Sequence, residues 1–296
     1  MVTGAFSFTG SYIARELLKR GHDLSTVTDH PREDSPIYGE VSIHPYSFDD
    51  IGSLEGIEVF VNTYWIRFPK YDVTWEDAVA NSKKLVDNCV KAGVKLFVQI
   101  SVTNPSLDSP YPYFRGKAEV EEYIKQSGIS YLIVRPALIF EKEDILLNNM
   151  AYLMRKFHLF ALFGRGDFKV QPIHQQDLAE YVSDLIESGE SGKTVDAIGP
   201  DTYEFREMLN IMKSSNEIRA LIIPFPGVLR WVSLGLAQVL GFLLRDILLT
   251  KNEMLALMDD LLLTDSEPVG RTSFAEWCEG VELGKRYAHE VRRHYK

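Results

Sequence analysis

Apolar runs alternate with amphipathic segments through the first two-thirds of the chain. Five stretches carry strand-forming and apolar residues over the length of a strand, at 23–28, 41–44, 59–64, 96–101 and 131–135. The segments between them carry apolar residues at helical spacing, at 10–20, 74–92 and 117–126. Apolar strands separated by such helices predict a parallel sheet that is covered on both faces. The predicted fold class is therefore α/β, with a Rossmann-type doubly wound sheet.

The regular alternation ends after Pro136. The apolar pattern of 144–163 predicts one helix, and the segments that follow predict an extended piece at 169–173, a helix at 176–188 and a strand at 194–198. The remainder is predicted to be mostly helical. We therefore expect a dinucleotide-binding domain at 1–140, to which 167–199 returns. A smaller, mostly helical lobe would consist of 141–166 and 200–296.

The most apolar part of the chain is 221–249. Its longest charge-free run, 231–244, lies between Arg230 and Arg245. A membrane span needs about twenty apolar residues, and this run is shorter. We therefore expect a buried or surface-lying helix and no membrane span, with peripheral membrane contact left open.

Composition narrows the function classes. The 296 residues carry a net charge of −10, with a pI near 5.3. An acidic chain argues against nucleic-acid binding, which needs clustered basic surface. The two cysteines, Cys89 and Cys278, provide neither a disulfide framework nor metal-ligand spacing. We expect a cytoplasmic protein with a small-molecule substrate and no metal site.

A glycine-rich loop opens the first helix. It runs from Gly4 to Gly10 through Phe6, Ser7, Phe8 and Thr9. Dinucleotide loops use glycine for a tight turn and for close contact between helix and strand, and the helix N-terminus then binds the pyrophosphate. Ser7 stands where the middle glycine is usual, so its side chain would either crowd the pyrophosphate or donate a hydrogen bond to it. The strand before the loop is short, or the natural start lies upstream.

The ribose-binding position is expected at the end of the next strand, where Asp29 stands. A carboxylate there accepts hydrogen bonds from the ribose hydroxyls and repels a 2′-phosphate, which favours NAD over NADP. Arg32 lies close enough in the sequence to serve a phosphate instead. The loop therefore predicts NAD as the cofactor, with NADP not excluded, and a solvated turn aspartate is the structural alternative.

Tyr113 and Lys117 are four residues apart, so on a helix they share one face. An ammonium beside a phenol lowers the pKa of the phenol and makes it an acid/base for a substrate hydroxyl or carbonyl. The lysine would also hold the nicotinamide ribose. The same spacing recurs at Tyr152 and Lys156, inside an apolar helix, where a core tyrosine is the better interpretation. Only Tyr113 follows a predicted sheet strand.

These landmarks resemble the short-chain dehydrogenase/reductase superfamily, in its extended and atypical branch. The resemblance rests on the glycine loop, Ser101 after a strand, the Tyr113/Lys117 pair, Val134-Arg135-Pro136, and the later segment 171–179, which is similar to NAD-dependent epimerase/dehydratase domains. It extends through about residue 199. The most similar branch contains NAD(P)H-binding proteins like the accessory subunit of complex I.

The resemblance also implies roles for single residues. Ser101 would orient the substrate oxygen beside Tyr113, with Thr103 as the alternative. Asn62 and Thr63 would line the path of the adenosine and nicotinamide. Ser47 stands where an aspartate often contacts adenine, which is a second departure from the family pattern.

Other candidate residues have ordinary structural explanations. Trp65 either walls a substrate pocket or anchors a loop. His174 and Asp177 are better explained as helix-capping residues than as catalytic ones.

Two functions remain open from the sequence. The first is an NAD(P)-dependent oxidoreductase or epimerase/dehydratase acting on a hydroxyl or carbonyl of a small metabolite, with Tyr113, Lys117 and Ser101 as its catalytic residues. The second is a non-catalytic NAD(P)H-binding structural or sensor protein, associated with a membrane complex. Ser7 and the apolar 221–249 stretch favour the second, and the Ser/Tyr/Lys set favours the first.

Overall fold

A computed structural model describes residues 1–45, 47–49, 54–71 and 73–289. Its helices are α1 (Phe8–Lys19), α2 (Trp75–Ala92), α3 (Pro112–Gln126), α4 (Ile145–Phe157), α5 (Gln175–Glu187), α6 (Phe205–Ser215), α7 (Arg230–Leu244), α8 (Lys251–Met258) and α9 (Phe274–Glu279). Its strands are β1 (Leu24–Val27), β2 (Val41–His44), β3 (Val59–Asn62), β4 (Leu96–Ile100), β5 (Tyr131–Pro136), β6 (Ile139–Phe140), β7 (Leu159–Phe163), β8 (Lys169–Val170), β9 (Ile173–His174), β10 (Lys193–Ala197), β11 (Tyr203–Glu204) and β12 (Leu221–Phe225). Short 3-10 turns occupy Tyr38–Glu40 and Gly227–Leu229.

The described chain divides into two compact units. The first holds Met1–Pro136 and Gln175–Ala197, and the second holds Ala137–His174 and the chain from Ile198 onward. The sequence-based division assigned 137–140, 167–174 and 198–199 to the first unit, whereas the structure places all three segments in the second. The strands in 137–140 and 167–174 pair within the second unit, because β8 pairs with β11 and β9 pairs with β6.

The first unit is built on a parallel sheet. Four strands lie in the order β10-β5-β4-β3, and β1 pairs in parallel with β2. The N-terminal segment joins these two parts, because Val2 bridges Val61 of β3 and its N–H donates to the carbonyl of Ser25 in β1 (2.9 Å). The predicted α/β fold with a parallel sheet is confirmed.

Helix starts in the first unit follow from local capping. Ser7 caps α1, and Thr74 forms a reciprocal capping box with Asp77 at the start of α2. Helix α3 begins with Pro112 at its first position, where the missing N–H costs nothing. This helix starts five residues before the predicted 117, so Tyr113 and Lys117 both lie within it.

The second unit corrects the prediction of one helix at 144–163. Helix α4 ends at Phe157, where His158 adopts a left-handed conformation (φ 55°), and 159–163 form strand β7. Strand β7 pairs in parallel with β12, which lies in a region predicted to be mostly helical. A short apolar run fits a buried strand and a buried helix equally well, so only the distant pairing partner decides between them.

Helix α7 lies on the surface of the second unit. With the turn before it, it forms one 18-residue segment, Gly227–Leu244, whose mean hydropathy is 1.6 and which is 17% buried. By length and composition this segment is long and apolar enough to cross a membrane. It is longer than the charge-free run 231–244, on which the expectation of no span rested, because it includes Arg230 and the preceding turn.

Candidate functional site

The glycine loop has the geometry of a close helix–strand turn. Gly4 has φ +62°, in the left-handed region that favours glycine, and its carbonyl accepts from the N–H of Ser7 (2.7 Å). A Cβ added to Gly10 would lie 2.1 Å from the carbonyl oxygen of Gly4. The two glycines therefore let the first turn of α1 approach the loop. A dinucleotide loop needs this close approach, because its backbone must contact the pyrophosphate.

Ser7 serves as the N-cap of α1. Its hydroxyl oxygen accepts from the N–H of Gly10 (3.2 Å), and the residue is exposed. The capping geometry leaves the hydroxyl proton able to donate. Phe8 and Thr9 form the first turn, whose N–H groups have no intrahelical acceptor and point out of the helix end. The loop therefore suits an anionic phosphate in spite of the missing middle glycine.

Two neighbours of the loop are buried. The ring of Phe6 is buried and lies 6.3 Å from that of Tyr38, so Phe6 anchors the loop. Gln175, at the start of α5, is fully buried and donates to the carbonyl of Thr9 (3.3 Å). Its Oε1 has no hydrogen-bond partner among the described residues. An unpaired buried oxygen is costly, so this atom is suited to a donor on a bound ligand.

Asn62 and Thr63 brace the loop from the end of β3. The Asn62 side chain is fully buried; its amide donates to Gln99 Oε1 (2.9 Å) and its oxygen accepts from the Thr3 hydroxyl (3.2 Å). The Thr63 hydroxyl donates to the carbonyl of Thr3 (2.6 Å). The polar atoms of the Asn62 side chain are thus hydrogen-bonded to Gln99 and Thr3, and Asn62 supports the loop through Thr3.

Asp29 is exposed just beyond the end of β1, at the predicted ribose position. Arg32 in the following turn forms an exposed ion pair with Asp34 (3.3 Å). Asp29 is therefore the acidic residue next to the end of β1, and the carboxylate that pairs with Arg32 is Asp34.

The position of Asp29 leads to a prediction about cofactor choice. The wild type should bind NAD more tightly than NADP, and Asp29→Ala should raise NADP affinity by about ten-fold, because a carboxylate no longer opposes the 2′-phosphate. Calorimetric titration of both dinucleotides measures this. Glu33→Ala, an exposed acid in the same turn, is the matched control and should change neither affinity. A wild-type preference for NADP would instead indicate that Arg32 binds the 2′-phosphate at this site.

Lys117 is buried at the end of β4. Its ammonium donates to the carbonyl of Ile100 (2.9 Å), an oxygen that also accepts from Gln99 Nε2 (2.8 Å), and it lies 4.5 Å from the centre of the Trp65 ring. Burial lowers the pKa of Lys117 to about 7, against the opposing effect of the Glu121 charge. The Lys117 ammonium therefore titrates near physiological pH in this structure, where an exposed lysine would be fully charged.

Tyr113 lies one turn before Lys117 on α3 and is half-buried. Trp65 contacts it edge-on, with ring centres 6.1 Å apart, and Phe114 contacts it at 5.4 Å. The indole nitrogen of Trp65 is buried and has no hydrogen-bond partner among the described residues. Trp65 thus contacts both members of the tyrosine–lysine pair.

The structure places the Ser101 side chain on Glu121, a residue that the sequence analysis did not single out. The Ser101 hydroxyl donates to Glu121 Oε1 (2.5 Å), and Arg135 binds the same carboxylate through Nε and Nη2. Burial disfavours the Arg135 charge, but the hydrogen bond to Glu121 and the charges of Glu121, Asp196 and Glu122 together outweigh it, so the pKa of Arg135 is raised. The signal for Glu121 was its spacing, because it follows Lys117 by four residues on the same helix face.

Thr103, the alternative to Ser101, is fully buried. Its N–H donates to the carbonyl of Pro136 (3.2 Å), which fixes the segment after β4 against the end of β5. The structure therefore brings Tyr113, Lys117 and Trp65 together, and it turns the Ser101 hydroxyl toward the Glu121–Arg135 pair.

The second tyrosine–lysine pair has different surroundings. Tyr152 lies in α4 of the second unit, with its ring 5.7 Å from that of Tyr287, and Lys156 is exposed. In that unit His174 Nε2 lies 3.0 Å from Glu141 Oε2, and the helix-capping role of His174 and Asp177 stays a prediction. Ser47 accepts from the N–H of Asp49 (3.2 Å). No cluster of three or more metal-ligating side chains occurs among the described residues.

The low pKa of Lys117 predicts a pH dependence of stability. Between pH 7 and the unfolded value of 10.5, the unfolded chain holds a proton that the folded chain lacks, so stability should rise with pH in this window. From pH 7 to pH 9 the wild type should gain about 2 kcal/mol relative to Lys117→Met. Urea unfolding at both pH values measures this, and Lys91→Met, at an exposed lysine of α2, should behave like the wild type. An equal pH dependence in Lys117→Met would contradict the prediction.

Comparison with known proteins adds the family. Residues 4–188 match the NAD(P)H-binding family. The chain is 30% identical to "NADH dehydrogenase [ubiquinone] 1 alpha subcomplex subunit 9, mitochondrial" of Arabidopsis thaliana over 243 residues, which are 76% of this chain and 60% of that protein. It is 26% identical to "Divinyl chlorophyllide a 8-vinyl-reductase, chloroplastic" of Cucumis sativus, over 67% of this chain and 52% of that protein. The chain thus spans between about half and three-fifths of the length of these two relatives.

A solved structure shares the fold. The NADPH-dependent quinone oxidoreductase QOR2 of Escherichia coli, complexed with NADPH, superposes with a TM-score of 0.74 and 18% identity, over 94% of this chain and 98% of that one. The family match extends across the glycine loop, Tyr113 and Lys117, and it agrees with the resemblance to the extended and atypical short-chain dehydrogenases. The chain belongs to the NAD(P)H-binding family.

Proposed function

We propose that this protein is an NAD(P)H-dependent oxidoreductase, or an epimerase/dehydratase of the same chemistry, that acts on a hydroxyl or carbonyl of a small metabolite. The observation that carries the proposal is the placement of Tyr113 and Lys117 on one face of α3, beside the carboxyl end of β4. Ligands of open α/β sheets bind outside the carboxyl ends of the strands.

The glycine loop fits the cofactor. Gly4, Ser7 and Gly10 shape the turn, the first turn of α1 would hold the pyrophosphate, and Asp29 would hold the adenosine ribose. The bound dinucleotide supplies the hydride acceptor or donor. Gln175 Oε1 would accept from the ligand near Thr9.

The chain's own residues would move the proton. Tyr113 donates to or accepts from the substrate oxygen through its hydroxyl. Lys117 can favour the phenolate of Tyr113 only when charged, and burial opposes that charge in this structure. Hydrogen bonds from the ammonium to ribose hydroxyls would offset the burial cost, so cofactor binding would charge the lysine and prepare Tyr113 for catalysis.

A second candidate function is a non-catalytic NAD(P)H-binding protein. The observation that favours it is that two of the three candidate catalytic side chains are engaged by other residues. Trp65 lies over Lys117, and the Ser101 hydroxyl donates to Glu121. The relatives named as NADH dehydrogenase subunits also favour it, and they suggest association with a larger complex.

Turnover measurements distinguish the two functions. Purified protein is assayed at 340 nm for NADH or NADPH oxidation and formation across a panel of hydroxyl and keto metabolites, and nucleotide released by denaturation is identified. Hydride transfer with exchangeable cofactor supports the oxidoreductase. Tightly retained NAD together with substrate isomerisation or loss of water supports the epimerase/dehydratase. Dinucleotide binding without conversion of any panel member would favour the non-catalytic function.

A further inference from the structure

Helix α7 presents an apolar face to solvent. We call the residues Val228, Val232, Leu236, Val239, Phe242 and Leu243 the α7 face. All are exposed, with Phe242 at 83%, Val228 at 81% and Leu243 at 70%. Contiguous exposed apolar surface of this kind marks a binding surface for a protein or a membrane.

The opposite side of α7 is packed against the protein. Its buried residues are Ser233, Leu234 and Gly241, and the helix contacts β7 and β12 of the same unit. The buried Ser233 hydroxyl is satisfied locally, because it donates to the carbonyl of Arg230 (2.7 Å). A helix held on one side by a packed unit cannot be surrounded by lipid, so α7 is suited to lie in an interface rather than to span a membrane.

The charges beside the α7 face are positive, in a chain whose net charge is −10. Residues 218–252 include four basic residues, Arg219, Arg230, Arg245 and Lys251, and a single acidic one, Asp246. Asp246 is buried and accepts from the Tyr287 hydroxyl (2.6 Å). Arg230, Arg245 and Lys251 have no acidic ion-pair partner among the described residues. Anionic headgroups complement this arrangement.

Trp231 lies at the edge of the α7 face. Arg230 and Lys251 both lie over its ring, at 5.1 and 5.5 Å from the centre. Tryptophan with flanking cations is typical of the membrane–water interface, where the ring sits among the headgroups.

We propose that the α7 face binds the surface of an anionic lipid bilayer, with the helix axis in the plane of the membrane. The apolar side chains enter the boundary between headgroups and acyl chains, and Arg230, Arg245 and Lys251 contact the headgroup phosphates. A second copy of this chain fits less well, because pairing two such faces brings the same basic side chains together. This inference goes beyond the proposed function and does not depend on catalysis.

Vesicle co-sedimentation tests the proposal. The full chain is mixed with phosphatidylcholine vesicles with and without phosphatidylglycerol. We expect binding to the anionic vesicles that weakens with added salt and is released by high salt or carbonate. Val239→Ser with Phe242→Ser should abolish the binding, since it removes the inserted side chains. Leu107→Ser, at an exposed leucine of the first unit (52%), is the matched control and should bind like the wild type.

A charge variant tests the second component. Arg245→Gln with Lys251→Gln should weaken binding to anionic vesicles by about twenty-fold, whereas Lys91→Gln with Lys156→Gln, at two exposed lysines, should have little effect. All these positions are exposed, and circular dichroism and melting temperature check that each variant folds. Absence of vesicle binding overturns the proposal, as does retention after carbonate washing, which indicates insertion across the bilayer. A dimer in buffer that Val239→Ser with Phe242→Ser converts to monomer would assign the face to a second copy instead.

Discussion

A Gly10→Val variant is expected to lose at least about 100-fold in dinucleotide affinity. A Cβ at this position would lie 2.1 Å from the carbonyl oxygen of Gly4 and 3.0 Å from the Ser7 hydroxyl. The Gly4 oxygen belongs to the backbone and cannot rotate away as a side chain does. The first turn of α1 must therefore move out from the loop, which displaces the N–H groups that would bind the pyrophosphate.

Calorimetric titration with NADH and NADPH measures the loss, and circular dichroism with thermal melting checks the fold. Gly39→Val is the matched control in the same unit, because nothing lies within 4 Å of a Cβ added there. The control should bind as the wild type does. A folded Gly10→Val variant with wild-type affinity would show that the dinucleotide does not bind at this loop.

The second large effect is expected on turnover. Tyr113→Phe removes one hydroxyl and keeps the ring, so the contacts with Trp65 and Phe114 and the cofactor affinity should survive. If Tyr113 transfers the proton, kcat should fall by about a hundred- to ten-thousand-fold. Steady-state rates with a substrate found in the panel, together with the dinucleotide Kd, separate these effects.

Two variants make this result specific. Tyr152→Phe keeps the same spacing to a lysine but lies in α4 of the second unit, so it should leave turnover unchanged. Lys117→Met should reduce both kcat and dinucleotide affinity, because the lysine is expected to contact the ribose as well as to activate Tyr113. Unchanged turnover in Tyr113→Phe would show that another group is the acid/base.

The hydrogen-bond partner of Ser101 is one feature of the site that the sequence did not predict. The resemblance to the short-chain dehydrogenases implied that the Ser101 hydroxyl would orient the substrate oxygen beside Tyr113. The structure instead gives that hydroxyl a buried carboxylate acceptor, Glu121, itself paired with Arg135. A hydroxyl rotates toward the strongest acceptor within reach, and Glu121 comes from the next helix while Arg135 comes from the next strand. No local pattern contains that arrangement.

The sequence by itself determined the parallel sheet, the position of the glycine loop before α1 and the placement of Tyr113 and Lys117 on one face of α3. These features are local: strand and helix periodicity, glycine spacing and an i, i+4 relation each depend on a few neighbouring residues. Only the tertiary structure decided that 159–163 is a strand, that Trp65 covers Lys117, and that the α7 face is exposed. Each of these depends on residues far apart in the chain, because pairing of β7 with β12, burial of an ammonium and exposure of a helix face are set by what packs against them.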